Sequence, residues 1–323
     1  MPDLRATVDL EQIRTLLNQH FSAPITNLAH VEGGQISRTF SFCVGEQAYI
    51  IRFNKDNMLT SNLPKEAYLY QKLASSSIPM PPIVQVGRLG ELHFAISHKT
   101  AGQMLQQLPV QEVRQLLPQL IEILDAIHHI DISETTGYGV FDDHGIGYAQ
   151  SWRSFLRRVH AEEDERDYFG KWHHLFDDTF LEHHLFMALY QRMQSLLDFC
   201  PTERYLVQGS YSFRNILAQD GKITAILDWV DARYGDFVYD IAGLDFWCGW
   251  LHLPELFRQY YQQRQVDQPF YYKERLLCYQ CYIALGAMRY YAATLQHDSY
   301  LWARSRILDL LSEQGYTLHD THP

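Results

Sequence analysis

Basic residues are in short supply: 27 Lys and Arg stand against 38 Asp and Glu in 323 residues, a formal net charge of −11. That balance disfavours a nonspecific binder of phosphate backbones, and no nucleic-acid partner is expected. A small cationic ligand suits such a field better, although an acidic surplus also serves solubility alone. No apolar run approaches membrane-spanning length, so no membrane association is expected. The opening MPDLRATVDLEQIRTLLNQHF is amphipathic, with acids throughout. It lacks the apolar core and small-residue cleavage site of a signal peptide. Cysteine is sparse and odd in number, Cys43, Cys200, Cys248, Cys278 and Cys281, which argues against a disulfide framework and for a cytoplasmic protein. Long repeats and low-complexity linkers are missing too. What is present, 46% hydrophobic and 14% aromatic residues, suffices for a large core in one domain or two lobes.

Two groupings have the look of metal motifs. Cys278 and Cys281 are spaced CxxC, but inside the apolar helical stretch ERLLCYQCYIALGAM with no second ligand pair nearby, which reads as buried helix cysteines. The pairs His173-His174 and His183-His184 recur in WHHLF and EHHLF and read as a polar helix face.

Along the chain, Ile25 to Asn54 alternates apolar and polar residues around the turn signals Glu32-Gly33-Gly34 and Val44 to Gln47, the pattern of antiparallel strands. A helix follows Pro64 and is broken by SSSIPMPP; strands resume from Ile83 to Ser97. From Val110 to His129 the period is helical. The lobe boundary is placed here, with a nucleotide-binding lobe over 1–100 and a helical lobe over 101–323. The second part is helical except for RYLVQGS and the pair NILA and DGKITAILDW, joined at Asp220-Gly221, a hairpin signal. The expected fold is α+β and bilobal, a small sheet-rich lobe before a large helical one.

The chemistry sits in LVQGSYSFRNILAQDGKITAILDWVDARYGDFVYDIAGLDFW. Asn215 follows a loop and Asp228 ends the next strand. An amide oxygen and a carboxylate on neighbouring loop ends are the hard donors that magnesium takes beside phosphate oxygens. This run resembles the catalytic segment of the aminoglycoside and choline phosphotransferases, HGDxxxxN, a hairpin and a metal-binding IDW. The ordered matches extend through EGGQISRTFSF, AYIIRFN, the helix bearing Glu66, IPMPPIVQVG, LDAIHHID and GIGYAQSWRSF, from about Glu32 to Trp250. The branch it looks most like is that of the hygromycin B phosphotransferases. The resemblance implies a protein-kinase-like fold, with ATP and Mg²⁺ as cofactors. Gly33, Gly34 and Ser37 would then cap the nucleotide phosphates, Arg52 would contact the nucleotide with Glu66 as its ion-pair partner, and Asn215 and Asp228 would hold the metal.

One departure matters. Where the family has His-Gly-Asp, this chain has Gln208-Gly209-Ser210, and a serine does not ionise near neutral pH to accept the proton of an acceptor hydroxyl. Ser210 thus stands at the position of the catalytic acid, and Asp231 is the candidate substitute, with a helix-entry role as the plainer alternative. Two functions stay open. One is slow transfer of the γ-phosphate to a small hydroxylated, cationic molecule, for which Glu162 to Glu165 and Asp177-Asp178 could supply attraction or be a solvated helix face. The other is a pseudokinase that binds nucleotide or ligand without turnover.

Overall fold

The computed structural model describes residues 6–32, 37–55, 63–162, 170–265 and 269–316. In chain order the first elements are α1 (Leu10–His20), β1 (Ile25–Val31), β2 (Arg38–Val44), β3 (Gln47–Lys55), α2 (Leu63–Leu73), β4 (Ile83–Leu89), β5 (Leu92–His98), β6 (Gln103–Met104) and α3 (Val110–His128). Then come β7 (Tyr138–Phe141), β8 (Gly147–Ala149), α4 (Trp152–Arg157), α5 (Leu175–Asp178), α6 (His183–Leu196), β9 (Tyr205–Val207), β10 (Ile216–Gln219), β11 (Lys222–Ile226) and β12 (Arg233–Gly235). The chain closes with α7 (Val238–Trp247), α8 (Leu253–Gln263), α9 (Tyr272–Ala293) and α10 (His297–Glu313). A sheet-rich N-terminal region followed by a helical C-terminal region gives the mixed α+β arrangement that the residue pattern implied and the kinase-like fold that the resemblance implied.

The chain divides into two compact units. The first gathers the described residues of Met1–Thr136, Phe141–Ile146 and Phe213–Ala232. Its main sheet is antiparallel in the order β1-β2-β3-β5-β4. One sheet face is covered by α1, whose Ile13, Leu16 and Leu17 recur at helical spacing and pack with Phe40, Phe42, Ile51, Phe53, Phe94 and Ile96. Each such side chain contributes about 1.5–3 kcal/mol on burial. Successive strand residues point to opposite faces. With Ile51 and Phe53 in the core, Arg52 is left on the other face.

A second small sheet, β11-β10-β6, belongs to the same unit. The β10–β11 turn is Asp220-Gly221, both at positive φ, 50° and 73°, the primed geometry that matches strand twist. The Gln119 side chain of α3 donates to Gly221 O (2.9 Å) and accepts from Ile223 N–H (3.2 Å), while Thr224 Oγ1 donates to Ala101 O (2.7 Å). These bonds tie the hairpin to α3 and to the segment that follows β5. The division by compactness therefore differs from a boundary at 100–101.

The second unit comprises Gly137–Val140, Gly147–Ser212 and the described residues of Arg233–Pro323. Its sheet runs β8-β7-β12-β9. The 22-residue α9 is buried on most sides, and its Arg275 and Tyr279 meet Asp236, which is fully buried. Arg275 donates to both Asp236 oxygens (2.7 and 2.5 Å), and the Tyr279 hydroxyl donates to the same carboxylate. Tyr279 also accepts from Trp152 Nε1 (3.1 Å). A carboxylate and a guanidinium taken from water together are tolerable because their remaining bonds are met.

Candidate active site

In the first unit, Arg52 projects from β3 toward α2 and forms a two-pronged ion pair with Glu66: Nη1 to Oε1 at 3.1 Å, and Nη2 to Oε2 as a close contact. Glu66 is buried. Burial alone would weaken the arginine's hold on its proton, but the Glu66 charge and hydrogen bonds outweigh it and raise its pKa. Ser37 stands immediately before β2, one residue short of the Arg38–Phe53 pair. Gly33 and Gly34 lie outside the described residues.

The hairpin brings Asn215 and Asp228 together although thirteen positions separate them. Asn215 precedes β10, Asp228 follows β11, Ile216 pairs with Ile226, and Asn215 O accepts from Leu227 N–H at 2.7 Å. The indole of Trp229 donates to Ile226 O (3.0 Å), and Ile226 N–H donates to Pro79 O (2.7 Å). Asp228 has φ +57°, a left-handed conformation rarely adopted outside turns and strained functional positions. Surrounding protein and the charges of Asp231 and Glu66 push its pKa up to about 7, against Arg52 and Lys65. The residue is nevertheless exposed, so its carboxylate is crowded by protein and still opens to solvent. An acid crowded by two others and reachable from solvent is a place where a cation relieves repulsion.

A further charged residue belongs to this cluster. Lys65 is completely buried; its Nζ donates to Val230 O (2.7 Å) and Ala232 O (2.6 Å) and lies 4.4 Å from the centroid of the Phe141 ring. Asp231 sits between the two carbonyls so held. Residue-level reading passed over Lys65. The available signal was its spacing, since Lys65, Leu69 and Leu73 recur at i, i+4 and i+8 along the buried stripe of α2.

The loop after β9 belongs to the second unit. Gln208 is buried, and its Oε1 accepts from the N–H of Ser210 at 2.8 Å. The backbone N–H groups of Gln208 and Gly209 donate to Asp240 Oδ2 (2.9 Å) and Oδ1 (2.8 Å). Gly209 has φ +83°, which favours glycine. Asp240 of α7 therefore anchors this turn. Asp236, the other acid following the metal-type strand, is consumed by Arg275 and Tyr279.

Among the described residues no group of three or more His, Cys, Asp or Glu could hold a metal. Cys278 and Cys281 are both buried in α9, and Cys278 Sγ lies 3.7 Å from Cys200 Sγ. Glu162 accepts from His173 N–H (2.8 Å) and Asp177-Asp178 lie on the short α5, whereas 163–165 lie outside the described residues.

The pattern of a phosphotransferase enzyme family (APH) matches residues 27–275. The chain is 32% identical over 306 residues to hygromycin-B 4-O-kinase of Escherichia coli, covering 94% of this chain and 85% of that protein. Among solved structures, a thermostable mutant of aminoglycoside phosphotransferase APH(4)-Ia in ternary complex with ADP and hygromycin B superposes with a TM-score of 0.79. It is 29% identical, and the match covers 95% of this chain and all of that one. The GDP complex of aminoglycoside 2'-phosphotransferase-IIIa shares the fold, with a TM-score of 0.67 at 16% identity over 95% of this chain and all of that one.

Proposed function

Because the chain belongs to the phosphotransferase enzyme family, we propose that it binds Mg-ATP through its first unit and slowly transfers the γ-phosphate to a hydroxyl of a small cationic, aminoglycoside-like molecule. The observation that carries the reading is the single charged cluster of Arg52, Glu66 and Asp228. Arg52, oriented by Glu66, meets phosphate oxygens; Ser37 and the glycines at 33 and 34 cap them. Asn215 and Asp228 are the metal donors. Their oxygen-only chemistry, with two further acids raising the Asp228 pKa, suits a hard cation that shares its shell with phosphates and needs no all-protein cage. When bound, magnesium neutralises charge on the phosphate oxygens.

Ser210 sets the speed. Loss of a general base costs a factor of about 100 to 10,000, and transfer continues because positioning and charge neutralisation supply most of the catalysis in phosphoryl transfer. Asp231 is the acid we assign as its substitute. The relatives named above that act on or bind hygromycin B make that aminoglycoside the first acceptor to try. Ser210 also favours a second reading, a pseudokinase that binds nucleotide without turnover.

Calorimetry with ATP, with and without Mg²⁺, followed by ADP release in the presence of hygromycin B, separates the two. Mg²⁺-dependent binding with slow, acceptor-dependent release supports transfer. Binding without release leaves the pseudokinase, and no binding overturns both. Asp228→Ala should remove the Mg²⁺-dependent part of nucleotide binding; unchanged binding would overturn the metal assignment.

A further inference from the structure

A fully buried lysine is rare, because an ammonium taken from water must find compensation. Lys65 finds it in two backbone carbonyls of one short loop, Val230 O and Ala232 O. That loop begins two residues after Asp228 and holds Asp231 between the bonded carbonyls. The next residue along α2 is Glu66, which grips Arg52. Adjacent helical residues diverge by about 100°, so one turn of α2 addresses β3 with its acid and the loop after β11 with its base. A leucine or methionine at position 65 would fit the i, i+4 stripe equally well, but would take the donor from both carbonyls and leave the loop without this tie.

We propose that Lys65 is a positioning residue for the magnesium side of the nucleotide site: its ammonium fixes the Val230–Ala232 loop to α2 and so sets Asp228 and Asp231 relative to Glu66. The inference rests on the Mg-nucleotide reading above and assigns Lys65 no contact with the nucleotide. A lysine that merely stabilises the fold would leave the response to magnesium untouched once the protein is folded.

The test compares Lys65→Met and Lys65→Arg with the unmodified full chain. ADP affinity is measured with and without Mg²⁺, and amide hydrogen exchange is followed over 228–232. Lys65→Met should bind ADP within twofold of the parent without Mg²⁺ and at least tenfold more weakly with it, with exchange over 228–232 at least tenfold faster. Lys65→Arg, which keeps charge and donors, should recover part of both. Should Lys65→Met fail to fold, Lys65→Gln is read in the same way. An unchanged magnesium response overturns the positioning role even if exchange accelerates, and unchanged exchange overturns it even if affinity falls. If the parent's ADP affinity shows no dependence on Mg²⁺, the nucleotide reading fails, and exchange over 228–232 alone then decides whether Lys65 holds the loop.

Discussion

Asp245 on α7 shows how a single buried acid makes stability depend on pH. Its side chain accepts from Gln280 Nε2 (2.8 Å) and faces Arg306 at 3.3 Å. Burial pushes its pKa up to about 6 from an ordinary 3.8, with Arg306 opposing the rise. A carboxyl whose folded pKa is raised stabilises the folded state relative to its ionised form below the unfolded value, and that contribution is lost as pH climbs through about 6. Asp245→Asn should therefore gain stability relative to the parent between pH 4 and pH 8. The gain is about 3 kcal/mol at most, one pKa unit being about 1.4 kcal/mol. Urea unfolding at both pH values checks this; a difference independent of pH would show that Arg306 holds the ionised form. Asp228 also has a raised pKa, but it is exposed and is one of the two proposed metal donors, where a bound cation would reverse the shift.

At the scale of elements, α2 and the β10–β11 hairpin do most to build the candidate site. Glu66→Gln would leave Arg52 without its counter-charge inside the first unit. Breaking a buried pair costs about 3–5 kcal/mol, but the Arg52 side chain is 21% exposed, so a loss of about 1–3 kcal/mol is expected. Denaturant unfolding of Glu66→Gln against the parent measures it, and a loss below a few tenths of a kcal/mol would make the pair a surface contact. These elements were readable to different degrees. The hairpin announced itself through Asp220-Gly221, whose φ values the turn requires, and α2 through its apolar period. Both fall close to where the residue pattern placed them. The compact units do not part at 100–101, because the bonds from Gln119 to the hairpin turn and from Thr224 to Ala101 connect residues more than a hundred positions apart. No local period encodes such a pairing. Lys65 was passed over for a related reason, since its carbonyl partners lie 165 and 167 residues away.

For the molecule as a whole, the choice between slow transfer and a pseudokinase turns on the serine at position 210. The turn is held from two sides: the Gln208 side chain accepts from the Ser210 N–H, and Asp240 accepts from the Gln208 and Gly209 amides. The turn is therefore hydrogen-bonded with glutamine and serine in place. Such a turn should accept a restored acid without rebuilding its backbone, because the Asp240 bonds involve only main-chain donors. Ser210→Asp combined with Gln208→His should then raise the rate of ADP release with hygromycin B by about 100-fold or more, the lower range for a general base. Mg-ATP affinity should stay within a few-fold, since the residues proposed to meet the nucleotide belong to the first unit. Steady-state kinetics on the double variant and on Ser210→Asp alone give the answer. A gain in kcat with little change in KM for ATP would show that only the proton acceptor had been missing. No gain with any aminoglycoside, while Mg-ATP still binds, would mean that acceptor recognition has also been lost, and the pseudokinase reading would then hold.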